Sequence, residues 1–305
     1  MRLRSDRVAV ASAIVLALFI LNALLADVVV WAYGMITGQP GLGPRDQFPD
    51  LLDGIGYPLG YFGGITGKHW LGLEPGLGRD VLIQLVYGAR TSLGIAAVAA
   101  ALSTSLGVFI GLVSGYVGGR VDTLVSWVID VMLSFPFVIF ALAAIPIVNT
   151  MVTGSVQISP GVGVRIATLV GVLVMFGWMS TARLVRGQVL SLREREFVEA
   201  ARAAGAGTWH MIRHQLLPNI WAPILITFSL SLPASVTAEA ALSFLGIGVT
   251  EPVPDWGRMI FDSAQYVQAD PAYTAFPGLA IFILVLAFNL FGDSLRDAFD
   301  PKAAR

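Results

Sequence analysis

The chain is 305 residues long, 56% hydrophobic and only 13% charged, with a net charge of −1. So few charges cannot cover the surface of a water-soluble protein of this length, and without a basic stripe there is no electrostatic footprint for nucleic acid. It contains no cysteine, which excludes disulfides, thiolate chemistry and cysteine-ligated metals and leaves the compartment open.

The first element follows Arg2, Arg4 and Arg7. Val8–Trp31 is an almost unbroken apolar run, long enough for a bilayer crossing, which takes about 20 residues. A secretory signal has a shorter apolar core and a small-residue cleavage site. The run therefore reads as a retained first span within a unit of residues 1–32. Residues 33–90 read as a Gly- and Pro-rich loop outside the membrane, irregular over Asp46–Trp70. Near its end Val81, Leu82, Leu85 and Val86 recur at helical spacing and predict a short interfacial helix.

Residues 91–305 form a core of five further spans, drawn as Ser92–Tyr116, Thr123–Val148, Ile166–Val185, Ile220–Leu242 and Pro277–Phe291. Six crossings make an all-α integral membrane fold in contact with lipid. The second span carries Ser103, Gly107, Gly111, Gly115 and Gly119, each four residues apart. Small residues at that spacing let helices approach closely where lipid gives no hydrophobic drive. Gly107, Gly111 and Gly115 thus predict a helix-packing seam, either inside the chain or against a second subunit. Phe135-Pro136-Phe137 and Leu232-Pro233 put proline mid-span, predicting kinks that shape the bundle or act as hinges. Asp130 and Glu239 fall within spans, where a charge is costly unless paired or hydrated. Both are candidates for a hydrated pathway. Asp130 has the alternative of reaching an arginine or water near the inner end of its span, and Glu239 that of an interface role.

Orientation follows from Lys and Arg. With six spans and the N-terminus inside, inner segments hold thirteen of these cations and outer segments six, which predicts both termini in the cytosol. The inner loop 186–219 is then cytosolic. Within it, Ser191 lies three residues before Glu194 as in a capping box. Phe197, Ala200, Ala201 and Ala204 share a helical face. Gly205 and Gly207 stop or bend that helix. Thr208 can cap a second one, in which Trp209, Ile212 and Leu216 share a face, and Pro218 closes the segment. The grammar is helix, glycine elbow, helix, at the membrane surface.

Several chemistries are excluded. Gly63-Gly-Ile-Thr-Gly-Lys-His is not a phosphate loop, because that pattern needs Gly at Phe62 and Ser or Thr at His69. His210 and His214 are four apart on a helix but have no third metal ligand nearby. Only three histidines exist, and no Ser-His-Asp arrangement is supported.

The segment Glu199-Ala-Ala-Arg-Ala-Ala-Gly through Leu217-Pro218 resembles the EAA loop of ABC-importer permeases, with Glu199, Ala200, Ala201, Gly205, Leu217 and Pro218 in register and Gln215 where the pattern has Ile. Leu77-Gly-Arg-Asp-Val-Leu, Tyr87-Gly-Ala-Arg-Thr-Ser-Leu-Gly, Ser114-Gly-Tyr-Val-Gly-Gly, Ala182-Arg-Leu-Val-Arg-Gly-Gln-Val-Leu-Ser-Leu and Leu242-Ser-Phe-Leu-Gly-Ile-Gly-Val are similar to C-type subunits of dipeptide and oligopeptide importers. So is Asn289-Leu-Phe-Gly-Asp-Ser-Leu-Arg-Asp-Ala-Phe-Asp-Pro. Together these motifs span residues 72–301.

The resemblance implies a type I importer permease in the plasma membrane that pairs with a homologous second permease. It implies two cytosolic ABC ATPases that use ATP and Mg, an extracytoplasmic binding protein that delivers solute, and no cofactor or catalysis in this chain. The EAA loop would be a coupling helix seated on an ATPase. Peptide is the leading substrate, and nickel or another small solute, also carried within the family, is the alternative. From a different class, an ion-gradient transporter would use Asp130 and Glu239 as coupling acids, and a membrane hydrolase lacks a paired nucleophile and base.

Overall fold

The computed structural model describes residues 6–155 and 160–299. Arg2, Arg4, Lys302 and Arg305, which enter the charge asymmetry, lie outside them. Among the described residues five helices are long and apolar enough to cross a membrane, or six when one sharply bent pair counts as a single span. There is no β-strand among them, only three isolated bridges.

The Asp6 side chain accepts the Val8 N–H at 2.9 Å and opens α1 (Arg7–Leu24). After a break at Leu25 the chain continues as α2 (Ala26–Thr37), so the expected first span is two helical pieces. A turn-rich loop then covers one end of the bundle, with a single 3₁₀ turn at Pro49–Leu51. Its anchor is buried Asp80. One carboxylate oxygen receives the Tyr33 hydroxyl at 2.8 Å and lies 2.8 Å from His69 Nδ1; the other caps the N–H of Ile83 at 3.1 Å. A second tie joins Arg79 to Glu74 at 2.5 and 2.9 Å and to Glu251 at 3.1 Å, and Glu74 also accepts the Tyr273 hydroxyl at 2.9 Å.

The helix that Asp80 caps, α3 (Val81–Val117), runs 37 residues without interruption. The short interfacial helix expected near residue 81 is therefore the first part of the second span. The reason is local: α3 contains no proline, and the side chains at Val81, Ile83 and Val86 are buried in the bundle rather than laid on its surface. At about 1.5 Å per residue α3 is about 55 Å long, well beyond the hydrocarbon thickness, so it protrudes or tilts.

The expected third span, Thr123–Val148, is broken. α4 (Gly119–Ser134) and α5 (Phe137–Thr153) meet at 89°. Phe135 adopts an extended conformation before Pro136, as the proline ring demands of its predecessor. By contrast Pro233 stays buried inside a continuous helix.

The remaining elements are α6 (Val162–Leu192), α7 (Glu196–Ala203), α8 (Thr208–His210), a π segment (Met211–Leu216), a 3₁₀ turn (Leu217–Ile220), α9 (Trp221–Phe244), α10 (Trp256–Ser263) and α11 (Pro271–Phe299). Asp6 also accepts the Ser294 hydroxyl at 3.0 Å, which ties the start of α1 to the end of α11. The Val8 N–H and this hydroxyl hold the Asp6 carboxyl below its ordinary value. Short α10 is wedged between α3, α9 and α11. Its buried Trp256 donates to the Leu85 carbonyl at 2.9 Å and meets Phe19 edge-on at 5.8 Å. Truncating such a side chain to alanine costs about 3–5 kcal/mol.

The largest interface joins α3 to α6. A Cβ on Gly107 would lie 2.6 Å from the Trp178 carbonyl oxygen and from Thr181 Cβ. On Gly111 it would lie 2.7 Å from the Ala182 carbonyl oxygen, and on Gly115 2.9 Å from Val189 Cβ. One turn earlier the relation reverses, since a Cβ on Gly177 would collide with Ser103. The small-residue ladder is thus met by a helix of this same chain. Gly119 has no neighbour of this kind and leaves the seam to begin α4.

The seam makes opposite predictions for two glycines on one helix. Gly111→Ala is expected to lower the unfolding midpoint in detergent by the equivalent of about 1–3 kcal/mol through overpacking, and Gly111→Leu to prevent assembly. Gly94, with nothing near its missing Cβ, should gain up to about 1 kcal/mol on replacement by alanine through helix propensity. Equal effects at the two sites would show that close approach is not what Gly111 provides.

Candidate functional site

The loop between α6 and α9 has a defined shape. Ser191 is still inside α6, so the expected capping box does not form, and α7 begins at Glu196 with Arg195 at the cap. Glu196 and Glu199 occupy its first turn and Arg202 its last, the arrangement the helix dipole favours. α7 ends in a Schellman motif. The Ala206 N–H reaches the Ala201 carbonyl at 3.1 Å and the Gly205 N–H reaches Arg202 at 3.0 Å, with Gly205 at φ +85°. A residue with a Cβ is strained there, which explains glycine at this point of the motif. Gly207 has ordinary φ and precedes α8, whose first residue is Thr208.

Which face of α7 is buried differs from the expectation. Val198 is fully buried and Ala201 partly so, whereas Phe197, Ala200 and Ala204 are exposed. In the following segment Met211, Ile212 and Leu216 are buried with Val198 against Leu112, Val185 and Val189, and Trp209 is exposed. The sequence pattern misses this because Met211–Leu216 is a π segment, whose i→i+5 bonding brings Met211 and Leu216 to one side. Pro218 gives a cause, since it has no N–H to offer the His214 carbonyl in an α-helical ladder. The Gln215 carbonyl is instead taken by the Asn219 side chain at 2.6 Å. Gln215 is itself half-buried, as is Leu217; Pro218 and Glu199 are exposed. The His210 and His214 rings stack at 4.4 Å on the outer side of this segment. The result is a small platform with a packed underside and an outward surface of Phe197, Ala200, Ala204 and Trp209.

Two ion pairs brace the same end of the bundle. Arg183 meets Asp130 at 2.6 Å, and Arg186 pairs with Asp122 through both carboxylate oxygens. Arg193 donates to the Gly115 carbonyl at 3.3 Å near the end of α3, where a cation suits the helix terminus. Asp130 is 69% exposed in its pair, which matches the arginine-paired alternative.

Glu239 is fully buried in α9. It accepts the Ser243 hydroxyl at 3.0 Å, and its Oε2 has no donor among the described residues. The carboxyl of Asp255, also fully buried, lies alongside it. Asp255 caps α10 by accepting the Arg258 N–H at 2.8 Å and lies 3.4 Å from the Ser92 hydroxyl. This joint fixes α10 to α3 and α9 within a tightly packed region: a Cβ on Gly257 would lie 2.4 Å from the Ala240 carbonyl oxygen.

Neither acid lines either of two cavities among the described residues. One, of about 650 Å³, is apolar and lies among α1, α2, α3, α10 and α11. The other, of about 380 Å³, lies among α3, α5, α6 and α9 and is lined by six hydroxyls: Ser103, Ser180, Thr181, Thr227, Ser231 and Ser235. No charged side chain lines it. Sequence reading missed this group, although Thr227, Ser231 and Ser235 recur every four residues and so share a helix face.

Comparison with known proteins gives a consistent likeness. A family model described as "Binding-protein-dependent transport system inner membrane component" matches residues 107–305. A dipeptide transport system permease protein, DppC, of Alkalihalophilus pseudofirmus is 36% identical over 84% of this chain and 80% of its own length. A glutathione transport system permease protein, GsiD, of Pectobacterium atrosepticum is 36% identical over 78% of this chain and 74% of its own. Among solved structures, an inward-facing MetNI methionine ABC transporter chain superposes with a TM-score of 0.57 at 22% identity, over 72% of this chain and 98% of that one.

The buried Glu239 side chain yields a prediction. Glu239→Gln keeps an acceptor for the Ser243 hydroxyl and is expected to leave the thermal midpoint in detergent nearly unchanged. Glu239→Ala leaves that hydroxyl without its acceptor and should cost about 1–3 kcal/mol. A Gln variant as unstable as the Ala variant would rule out the Ser243 hydrogen bond as the source.

Proposed function

Because this chain belongs to the family of binding-protein-dependent transport system inner membrane components, we propose that it forms one wall of an ATP-driven import pathway for di- and oligopeptides, completed by a homologous second permease. Two cytosolic ABC ATPases hydrolyse ATP with Mg and drive it, and an extracytoplasmic binding protein delivers the solute. The chain itself binds no cofactor and catalyses no reaction. It is a multi-pass protein of the plasma membrane with both termini in the cytosol, supported by the excess of Lys and Arg on the α7 side.

The observation that carries this reading is the α7 platform. Its outward surface is small and apolar at Phe197, Ala200 and Ala204, with Glu199 beside it, and it is backed without slack by Val198, Met211 and Leu216. Such a piece transmits force: it offers a partner close approach and passes displacement to α6 and α9, between which it is strung. Closure of the ATPase pair would move the platform and shift the bundle between two access states, provided the states bind the ATPases unequally. Relatives named for dipeptide and glutathione transport support amide-bearing solutes over nickel.

Deleting Glu199–Gly205 should abolish co-purification of the ATPases while the chain still inserts in the membrane. Ala200→Trp should weaken that association by about 2 kcal/mol or more, through lost close packing at the joint. Uptake by this chain alone in vesicles under an ion gradient, with no ATPase, would sink the proposal in favour of a secondary transporter.

A further inference from the structure

The hydroxyl-lined cavity opens on the face between α6 and α9, where Gly177, Ser180 and Ala234 are exposed. On a surface at membrane depth, polar side chains face hydrocarbon only at a cost, and serines in such helices ordinarily hide their protons on a carbonyl of the preceding turn. Thr227 does so at the Pro223 carbonyl (2.8 Å) and Ser231 at Phe228 (2.8 Å). Ser180 and Ser235 do not; neither makes a hydrogen bond among the described residues. Two unsatisfied hydroxyls on one opening, backed by Thr227 with its lone pairs free and by Ser231, which also lies 3.4 Å from the Thr104 hydroxyl, form a wall suited to water or a polar solute rather than lipid.

The chemistry of the wall narrows the solute. Thr227 and Ser231 have spent their donors on the backbone and can only accept; Ser180 and Ser235 can do both. With no charge on the wall, nothing discriminates between cationic and anionic solutes, and nothing binds either tightly enough to hold it, which a pathway must avoid. The cavity also adjoins the break between α4 and α5, since Phe137, the first residue of α5, lines it.

We infer that this cavity is the solute-contacting segment of the pathway, with Ser180, Ser231 and Ser235 recognising the N–H groups of a peptide backbone irrespective of side-chain charge. The inference rests on the importer reading and names its contact residues. Asp130 and Glu239 then have no part in solute contact.

The absence of cysteine allows a direct test. Ser180→Cys and Ser235→Cys each carry a single thiol, and Leu102→Cys, on the exposed apolar surface of α3, is the apolar-surface control. In the importer assembled with its second permease and ATPases in nanodiscs, a charged methanethiosulfonate should label both serine-site thiols and not the control. The labelling rate should change at least about fivefold between nucleotide-free and ATP-trapped states, as an alternating pathway opens and shuts. A placed charge adds the specificity arm. Ser235→Asp should slow uptake of alanyl-glutamate relative to alanyl-lysine by about tenfold, where the unsubstituted complex shows no such bias from its wall. If the assembled, transporting complex leaves both thiols unlabelled in every state, the face is a dry packing surface for the second permease and the inference fails while the importer reading stands. If the unsubstituted complex shows no ATP-coupled uptake of either dipeptide, both fail.

Discussion

The bundle rests on the close approach of α3 and α6. In a membrane there is little hydrophobic gain from pressing two apolar helices together, so contact must come from packing at short range. Gly107, Gly111 and Gly115 on α3, and Gly177 on α6 opposite Ser103, remove the side chains that would keep the two backbones apart. Everything at the α7 end is built on this pair. Leu112 of α3 and Val185 and Val189 of α6 form the floor on which Val198, Met211 and Leu216 sit. The ion pair of Arg186 with Asp122 and the Arg193 contact to Gly115 lock the neighbouring helices around the same joint.

The opposite end is organised differently, by buried polar groups. Asp80 serves both as the cap of α3 and as the anchor for Tyr33 and His69; Glu74 holds both Arg79 and Tyr273; Asp255 caps α10 and meets Glu239. Each acid satisfies backbone or side-chain donors from segments far apart in sequence, which ties a turn-rich loop to a helical bundle without a sheet. Asp270 adds to this layer beneath Gly63, and burial pushes its carboxyl above the ordinary value, with the Tyr273 and Ala272 N–H groups offsetting part of the effect.

Much of this was readable from composition and local pattern. Apolar runs located the crossings, the four-residue ladder located the seam, and the EAA motif located the platform. What was not readable depends on tertiary context. A proline marks a possible kink, but Pro136 turns the chain by 89° while Pro233 leaves a helix unbroken; the outcome depends on whether neighbours hold the helix on course. The buried side of α7 is set by the neighbours that Val198 meets, among them Leu112 and Val189, and no local pattern in the loop names them. The partner of Glu239 lies in a loop sixteen positions away, and no pattern in α9 announces it. The hydroxyls at Thr227, Ser231 and Ser235 were regularly spaced, yet only the cavity distinguishes them from serines that pack.

The π segment fixes the length of the chain at this point. Successive residues on an α-helix are rotated by about 100°, so one residue gained or lost between Met211 and Leu216 would swing Met211 and Ile212 off the floor formed by α3 and α6. The platform can therefore accept a polar replacement such as Gln215 at a half-buried position, because that leaves the phase of the helix intact. It has no such tolerance for a change in length. Between Gly205 and Pro218 the register is a gear setting: a change of tooth leaves it engaged, and a change in their number does not.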